Sequence, residues 1–262
     1  MSDDEAGVPE VDARIPNAAR IYNYFLGGKD NFAADRTAAE MVLSMAPQVR
    51  IAAMENRDFL TRAVGYLAKE AGIRQFVDIG AGIPAKRPVH EVARKVHRDA
   101  RVAYVDNDTV VLVHARALLG RGLGTAVVAG DVREPEAILK SPELTKLIDL
   151  EVPVGVVLIA VLHFVPDSDD PAGLVRRLVD RLPSGSHVVI THLSDGGVPG
   201  DLRIARAREL YQGGLHFRSR AEIEALFGGL ELVEPGLVGV SSWRRAAPEA
   251  TSWWLAGVGR KP

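Results

Sequence analysis

A doubly wound α/β domain, built on a mostly parallel sheet behind an N-terminal run of helices, is the fold class this sequence predicts. Three observations predict it. Short β-branched runs alternate with helical segments from Arg74 onward. Those runs are apolar throughout instead of alternating with polar residues, as strands covered on both faces are. The first run closes on a glycine-rich turn, Asp78-Ile79-Gly80-Ala81-Gly82, of the kind that leads from a strand into a helix.

Each element follows in order. Residues 1–13 are acidic and rich in small side chains, and read as a loose tail. Residues 14–72 read as a helical extension and residues 73–262 as the α/β domain. In the extension, Pro16 suits a first helical turn, Ile21, Tyr24 and Phe25 recur at helical spacing, and Gly27-Gly28 marks the stop. A second helix over 35–45 ends before Pro47, and a third over about 49–70 stops at Gly72. The strands are expected at 75–79, 102–105, 126–129, 154–159 and 187–191, with helices at 90–99, 109–119, 135–139 and 172–182 between them. Helices over about 201–211 and 221–227 follow. Segments 230–235 and 252–259 then read as two strands, joined by too little chain for a helical crossover and so antiparallel. Trp243, Trp253 and Trp254 are expected to pack under them.

Composition excludes several function classes. The chain has 262 residues, and 32 Lys and Arg against 34 Asp and Glu leave a net charge of -2, without the basic excess of a nucleic-acid partner. Cysteine is absent, which removes disulfides, thiolate metal sites and a cysteine nucleophile. His187 and His192 lie five apart on one strand and so face opposite sides, so no metal site is expected. The longest apolar stretch, residues 152–165, falls short of the ~20 residues of a membrane helix. Met1-Ser2-Asp3-Asp4-Glu5 is acidic where an export signal is basic. A cytoplasmic protein with neither nucleic-acid nor membrane partner is expected.

The candidate site lies at the strands' carboxyl ends, which a parallel sheet brings to one edge. Gly80, Gly82 and Ala85 satisfy the loose G-x-G-x-x-A of dinucleotide binding: Gly80 permits the bend, and Gly82 lets a ligand approach bare backbone. Asp106, closing the second strand, can accept both hydroxyls of a ribose or else cap the next helix, a task that also suits Asp108. Asp131, past the third strand, can accept from an adenine amino group or stand as a solvated turn acid. The fourth strand runs into Ala160-Val161-Leu162-His163-Phe164, beside the reactive end of a bound nucleotide. An NAD(P)-dependent oxidoreductase remains open on the literal glycine pattern, although no Tyr-x-x-x-Lys pair follows and Asp131 would have no role.

Together, these acids, the glycine turn and the Leu162-His163-Phe164 stretch resemble the class I S-adenosylmethionine-dependent methyltransferases. More closely, Ile21-Tyr22-Asn23-Tyr24-Phe25-Leu26-Gly27-Gly28-Lys29-Asp30-Asn31-Phe32, with Tyr104-Val105-Asp106-Asn107-Asp108 and Ala160-Val161-Leu162-His163-Phe164-Val165-Pro166-Asp167, is similar to an actinobacterial methyltransferase family of undefined substrate. The likeness covers nearly the whole chain after the tail. It departs at Ala85-Lys86-Arg87-Pro88, where that family carries a polar Thr/Asn-containing segment.

The resemblance implies a Rossmann-like seven-stranded sheet, mostly parallel with an antiparallel C-terminal strand, and S-adenosyl-L-methionine as cofactor. It further implies Asp78, Gly80, Ala81 and Gly82 around the methionine part, Asp106 with Asn107 at the ribose and base edge, and Asp131 with Val132 at adenine. Ala160, Val161, Leu162 and His163 would line the methyl-donor side. Tyr22, Tyr24 and Phe25 would close as an aromatic lid or pack as ordinary core, and Lys29 would reach the cofactor carboxylate or stay in solvent. A sulfonium already activates its methyl group, so alignment and water exclusion suffice. His163 is then either a general base or a histidine hydrogen-bonded behind the pocket. The acceptor is expected to be a small molecule; a protein that binds the cofactor without catalysis stays open beside the enzyme.

Overall fold

Five apolar runs become five parallel strands of one sheet: β1 (Gln75–Ile79), β2 (Arg101–Asp106), β3 (Thr125–Ala129), β4 (Gly155–Ile159) and β5 (His187–Leu193). They lie in the order β3-β2-β1-β4-β5. The computed structural model describes residues 12–84, 87–119, 122–196, 202–211, 214–245 and 253–262, the side chains of 202–204 excepted. Most of the acidic tail therefore lies outside the described residues. So do Ala85 of the glycine pattern, Lys86 of the departure beside it, and the expected ends Asp201 and Ser252.

Beyond β5 the sheet continues with β6 (Glu231–Leu232), β7 (Val238–Gly239) and β8 (Trp254–Arg260). β8 runs antiparallel to β5 and to both short pieces. Among the described residues the strand count is therefore eight, one more than expected. β6 and β7 share one edge of β8, and the break between them holds Pro235, which has no N–H to give a ladder.

Helices cover both faces, which is why the strands read as unbroken apolar runs. On one face α3 (Val49–Lys69), α4 (Val89–Arg94) and α5 (Thr109–Leu118) bury Phe59, Leu60, Leu67, Val92 and Ala115 with Phe76, Val102 and Trp243. On the other, α6 (Pro135–Lys140), α7 (Pro142–Thr145) and α8 (Pro171–Asp180) pack Ile138, Leu144, Leu174 and Leu178 on Val77, Val156 and Leu158. α9 (Leu202–Leu210) and α10 (Arg220–Ala225) precede the terminal strands. The helix expected over 90–99 ends at Arg94, whose guanidinium turns to the Ala100 and Leu123 carbonyls, while the His97 ring bonds the Ala68 carbonyl. No described helix is long and apolar enough to cross a membrane.

The first two helices, α1 (Ala18–Phe25) and α2 (Ala33–Met45), form a third cluster through Ile21, Phe25, Ala39 and Val42. One carboxylate fastens them. Asp35, fully buried, accepts from the backbone N–H of Asn17 (2.9 Å) and Phe32 (2.8 Å) and from Arg20 Nε (2.7 Å). Asn17 caps α1 with its side-chain oxygen and donates through Nδ2 to Asp108, which itself caps α5. The extension is thereby tied to the end of β2.

Candidate active site

Parallel strands deliver their carboxyl ends to one edge, and the strand order reverses there between β1 and β4, where ligands of open α/β sheets bind. A cavity of about 410 Å³ opens at this point, within the range of small-molecule sites.

Its floor is the glycine turn. Gly80 has φ +71°, and a Cβ there would stand 2.6 Å from Val161 Cγ2, so only glycine lets the turn pass under the end of β4. Gly82, at φ +65°, would carry a Cβ with nothing within 4 Å: the space above it is open. The Gly82 N–H donates to Asp106 Oδ2 (2.9 Å) and the Asp108 N–H to Asp106 Oδ1 (2.9 Å). Asp106 is thus oriented by backbone and keeps lone pairs for a ligand. Farther along, Asp131 is forked by Arg133, through Nε to Oδ1 (2.9 Å) and Nη2 to Oδ2 (2.5 Å), and accepts from Asn107 Nδ2 (2.9 Å).

The three carboxylates differ in charge state. Burial pushes Asp78 up to about 7; the neighbouring Asp106 adds to the rise and Arg57 opposes it. Asp78 accepts no hydrogen bond from a described residue. Asp106 is also raised by burial, against the pull of the Asp108 and Gly82 amides. Asp131 goes the other way, held well below the usual carboxylate range by Arg133.

At the end of β4 the chain turns sharply. Ala160 takes φ +58°, a left-handed conformation rare outside glycine, and its N–H donates to the buried Thr191 hydroxyl (3.0 Å). The following single turn of 3₁₀ helix, Leu162–Phe164, sends His163 to the cavity and Leu162 into the core. His163 is 3% exposed, and its Nδ1 is buried without a hydrogen-bond partner among the described residues. Burial, with His192 and Arg218 nearby, keeps its imidazole neutral to far below the usual histidine value. His192 donates from Nδ1 to the Leu193 carbonyl and accepts at Nε2 from Arg218. The nearly buried Arg218 also reaches the carbonyls of Leu162 (3.2 Å) and Val165 (2.8 Å), and so holds the turn that carries His163.

The structure gathers most of the expected residues on one cavity wall: Tyr22, Asp78, Gly80, Ala81, Gly82, Asp106, Asn107, Asp131, Val132, Ala160, Val161 and His163. Two expectations are corrected. Leu162 is fully buried in the core on the opposite side of its turn, because successive residues of so tight a turn point different ways. Lys29 is exposed in the loop after α1 and lies outside the lining. Of the aromatic lid, Phe25 joins Tyr22 in the wall, whereas the Tyr24 hydroxyl donates to Glu40. Trp253 and Trp254 line the cavity instead of only packing beneath the strands, and Trp243 is buried edge-on to Phe59. Sequence reasoning missed Arg57, Tyr211, Leu215 and Phe217 as wall residues, and Arg218 behind it. No group of metal-ligating side chains occurs among the described residues.

Comparisons with known proteins bear on the family and the fold. The profile of a family described as S-adenosyl methyltransferase matches residues 4–262. A crystal structure of a DUF574 family protein from Streptomyces avermitilis is 40% identical with a TM-score of 0.90, covering 97% of this chain and 100% of that one. Another, of a candidate methyltransferase from Thermobifida fusca, is 42% identical with a TM-score of 0.90, covering 97% of each. Human N-acetylserotonin methyltransferase, solved with S-adenosylmethionine, shares 14% identity at a TM-score of 0.51 over 95% of this chain and 63% of that one, a likeness of fold. No curated protein matches the chain.

Proposed function

Because the chain belongs to the S-adenosyl methyltransferase family, we propose that it carries the methyl group to a small molecule whose reacting atom meets His163. Dependence on S-adenosylmethionine comes with the family; the acceptor and the residue roles are our reading. The observation that carries it is the division of one cavity between two chemistries. Carboxylates ring the end at β1 to β3, and apolar and aromatic side chains line the rest, beyond His163.

The residues present fit the cofactor. Bare space over Gly82 admits a ligand against the backbone, and Asp106, already fixed by that glycine's N–H, presents acceptors suited to a ribose diol. When bound, the cofactor supplies an electrophilic methyl on a cationic sulfur. Asp106, and Asp78 once ionised, suit that cation, whereas Asp131 is already paired with Arg133. No Tyr-x-x-x-Lys pair follows the glycine turn and Asp131 would have no role in NAD(P) chemistry, which disfavours an oxidoreductase. Asn107 and Asp131, bonded to each other, offer an edge for the base. Tyr22, held by Asn56 and the Ala53 carbonyl, and Phe25 roof the cavity against water. His163 stays neutral and so can take the proton that the acceptor loses. A cytoplasmic setting fits a chain without cysteine.

A thermal-shift panel tests this reading. S-adenosylmethionine and its demethylated product should each stabilise the protein by about 2.7 kcal/mol at ~100 times their dissociation constants, and NAD or NADP should not. A larger shift with NAD overturns it. Transfer of labelled methyl to a metabolite extract separates catalysis from binding alone.

A further inference from the structure

Resting on that reading, we infer that the methyl acceptor is an uncharged hydroxyarene, a flat aromatic molecule methylated on its hydroxyl oxygen, seated between Phe164, Tyr211, Phe217 and Trp254. Those four side chains come from separate segments: the turn after β4, the end of α9, the loop before α10 and the start of β8. The Trp254 ring stands edge-on to His163 (5.4 Å, 89°), and Phe164 lies 4.5 Å from His163 and 6.0 Å from Tyr211. Rings at such spacings make the offset and edge contacts that favour another aromatic.

Charge decides the rest. The cavity's two arginines are placed with carboxylates at the other end, Arg57 with Asp78 and Arg133 with Asp131. Among the described residues, none lining the aromatic end carries a charge. An ammonium or carboxylate on the acceptor would lose its water there and gain no counter-ion.

At the aromatic end two polar side chains make no side-chain hydrogen bond with a described residue. His163 and Tyr211 both line the cavity; the His163 Nδ1 is itself buried, and neither the imidazole nor the Tyr211 hydroxyl bonds a described residue. Burial keeps the imidazole neutral and the phenol protonated, so His163 retains a nitrogen lone pair that can accept and Tyr211 a hydroxyl that can donate. A hydroxyl can donate to the imidazole and accept from the Tyr211 hydroxyl; an aryl amine, its lone pair delocalised into the ring, is a poor acceptor for that donor. On transfer the C–O bond forms, the S–C bond breaks with its electron pair left on sulfur, and the hydroxyl proton passes to the His163 imidazole. Methylation makes that proton strongly acidic as the bond forms, so a weak base suffices.

Isothermal titration of the full chain saturated with S-adenosylhomocysteine tests the assignment, using 2-naphthol, 2-naphthoate and 2-naphthylmethylammonium as probes of one shape. The neutral naphthol should bind at least about tenfold more tightly than either ion, and in a separate incubation with methyl-labelled S-adenosylmethionine the label should appear on its oxygen. Tyr211→Phe and Phe164→Ala should each weaken naphthol by about 3- to 10-fold while leaving the thermal shift from S-adenosylhomocysteine unchanged. An ion binding as tightly as the naphthol overturns the inference, as does absence of naphthol binding to protein that S-adenosylhomocysteine still stabilises. Loss of that stabilisation in the parent protein would instead overturn the reading of the cofactor site.

Discussion

The Gly82 N–H points at Asp106 Oδ2 from 2.9 Å, joining the turn after β1 to the acid that ends β2. A residue expected to hold the ligand thus also holds the loop that the ligand lies against. Replacing Asp106 by Ala orphans the Gly82 and Asp108 amides. It should cost about 1–3 kcal/mol of stability and abolish the thermal shift from S-adenosylmethionine. A variant that still shows the full shift would place Asp106 outside the pocket's recognition.

The two glycines of the turn separate strain from collision. Gly82→Ala meets only the left-handed φ, an expected loss of about 1–2 kcal/mol, and puts a methyl into the open space of the cavity. Gly80→Ala adds a clash with Val161 and should cost about 1–3 kcal/mol more. Urea unfolding of both variants measures the difference; equal losses would mean that the β4 end yields freely.

Asp78 makes the ligand-free protein sensitive to alkali. Its carboxyl ionises near 3.8 when unfolded and near 7 in the fold, so between those values the folded state holds the extra proton. Stability therefore falls as pH rises through that window and levels off above 7, by on the order of 4 kcal/mol. Asp78→Asn should flatten this slope and be more stable than the parent at pH 8. A cationic cofactor favours the ionised carboxylate, so parent affinity should rise from pH 6 to 8 and variant affinity stay level. Matching pH profiles in parent and variant would remove Asp78 as the cause.

His163→Gln should slow methyl transfer by about 10²- to 10⁴-fold and leave cofactor binding intact. With cofactor saturating, kcat should show no acid limb from His163 between pH 8 and 6, because burial keeps the ring neutral well below that range. A histidine-dependent limb near pH 6.5 would contradict the buried setting.

Arg218 gives a cleaner contrast than its ion pair suggests. Asp167, its carboxylate partner, is 80% exposed, so Asp167→Asn should cost under about 1 kcal/mol. Arg218→Met strips two buried carbonyls and His192 Nε2 of their donor and should cost about 3–5 kcal/mol. Equal costs in denaturant titration would locate the energy in the surface pair instead.

Much of this was legible because local chemistry and fold coincide. Strands covered on both faces leave apolar runs, so β1 and β4 stand out; β7 and α7, at two and four residues, carry too little pattern to see. The glycine turn and Asp106 could be read from spacing, since a strand, a turn and a crossover fix how far apart they fall. Tyr211, Phe217 and Trp254 could not: the end of α9, the loop before α10 and the antiparallel β8 bring them to the cavity separately, and no short-range signal encodes that meeting. Leu162 and His163 are neighbours whose directions only the turn's geometry decides. Lys29 shows the reverse error, a residue near the site in sequence that the loop leaves in solvent.

Asp35 carries one last consequence. One fully buried carboxylate grips the lead-in to α1, the arginine within it and the lead-in to α2, so neither helix can melt while the other keeps its grip. Heat, pressure or a protease should release both or neither, and Tyr22, Phe25 and Val42 would leave in that same cooperative step.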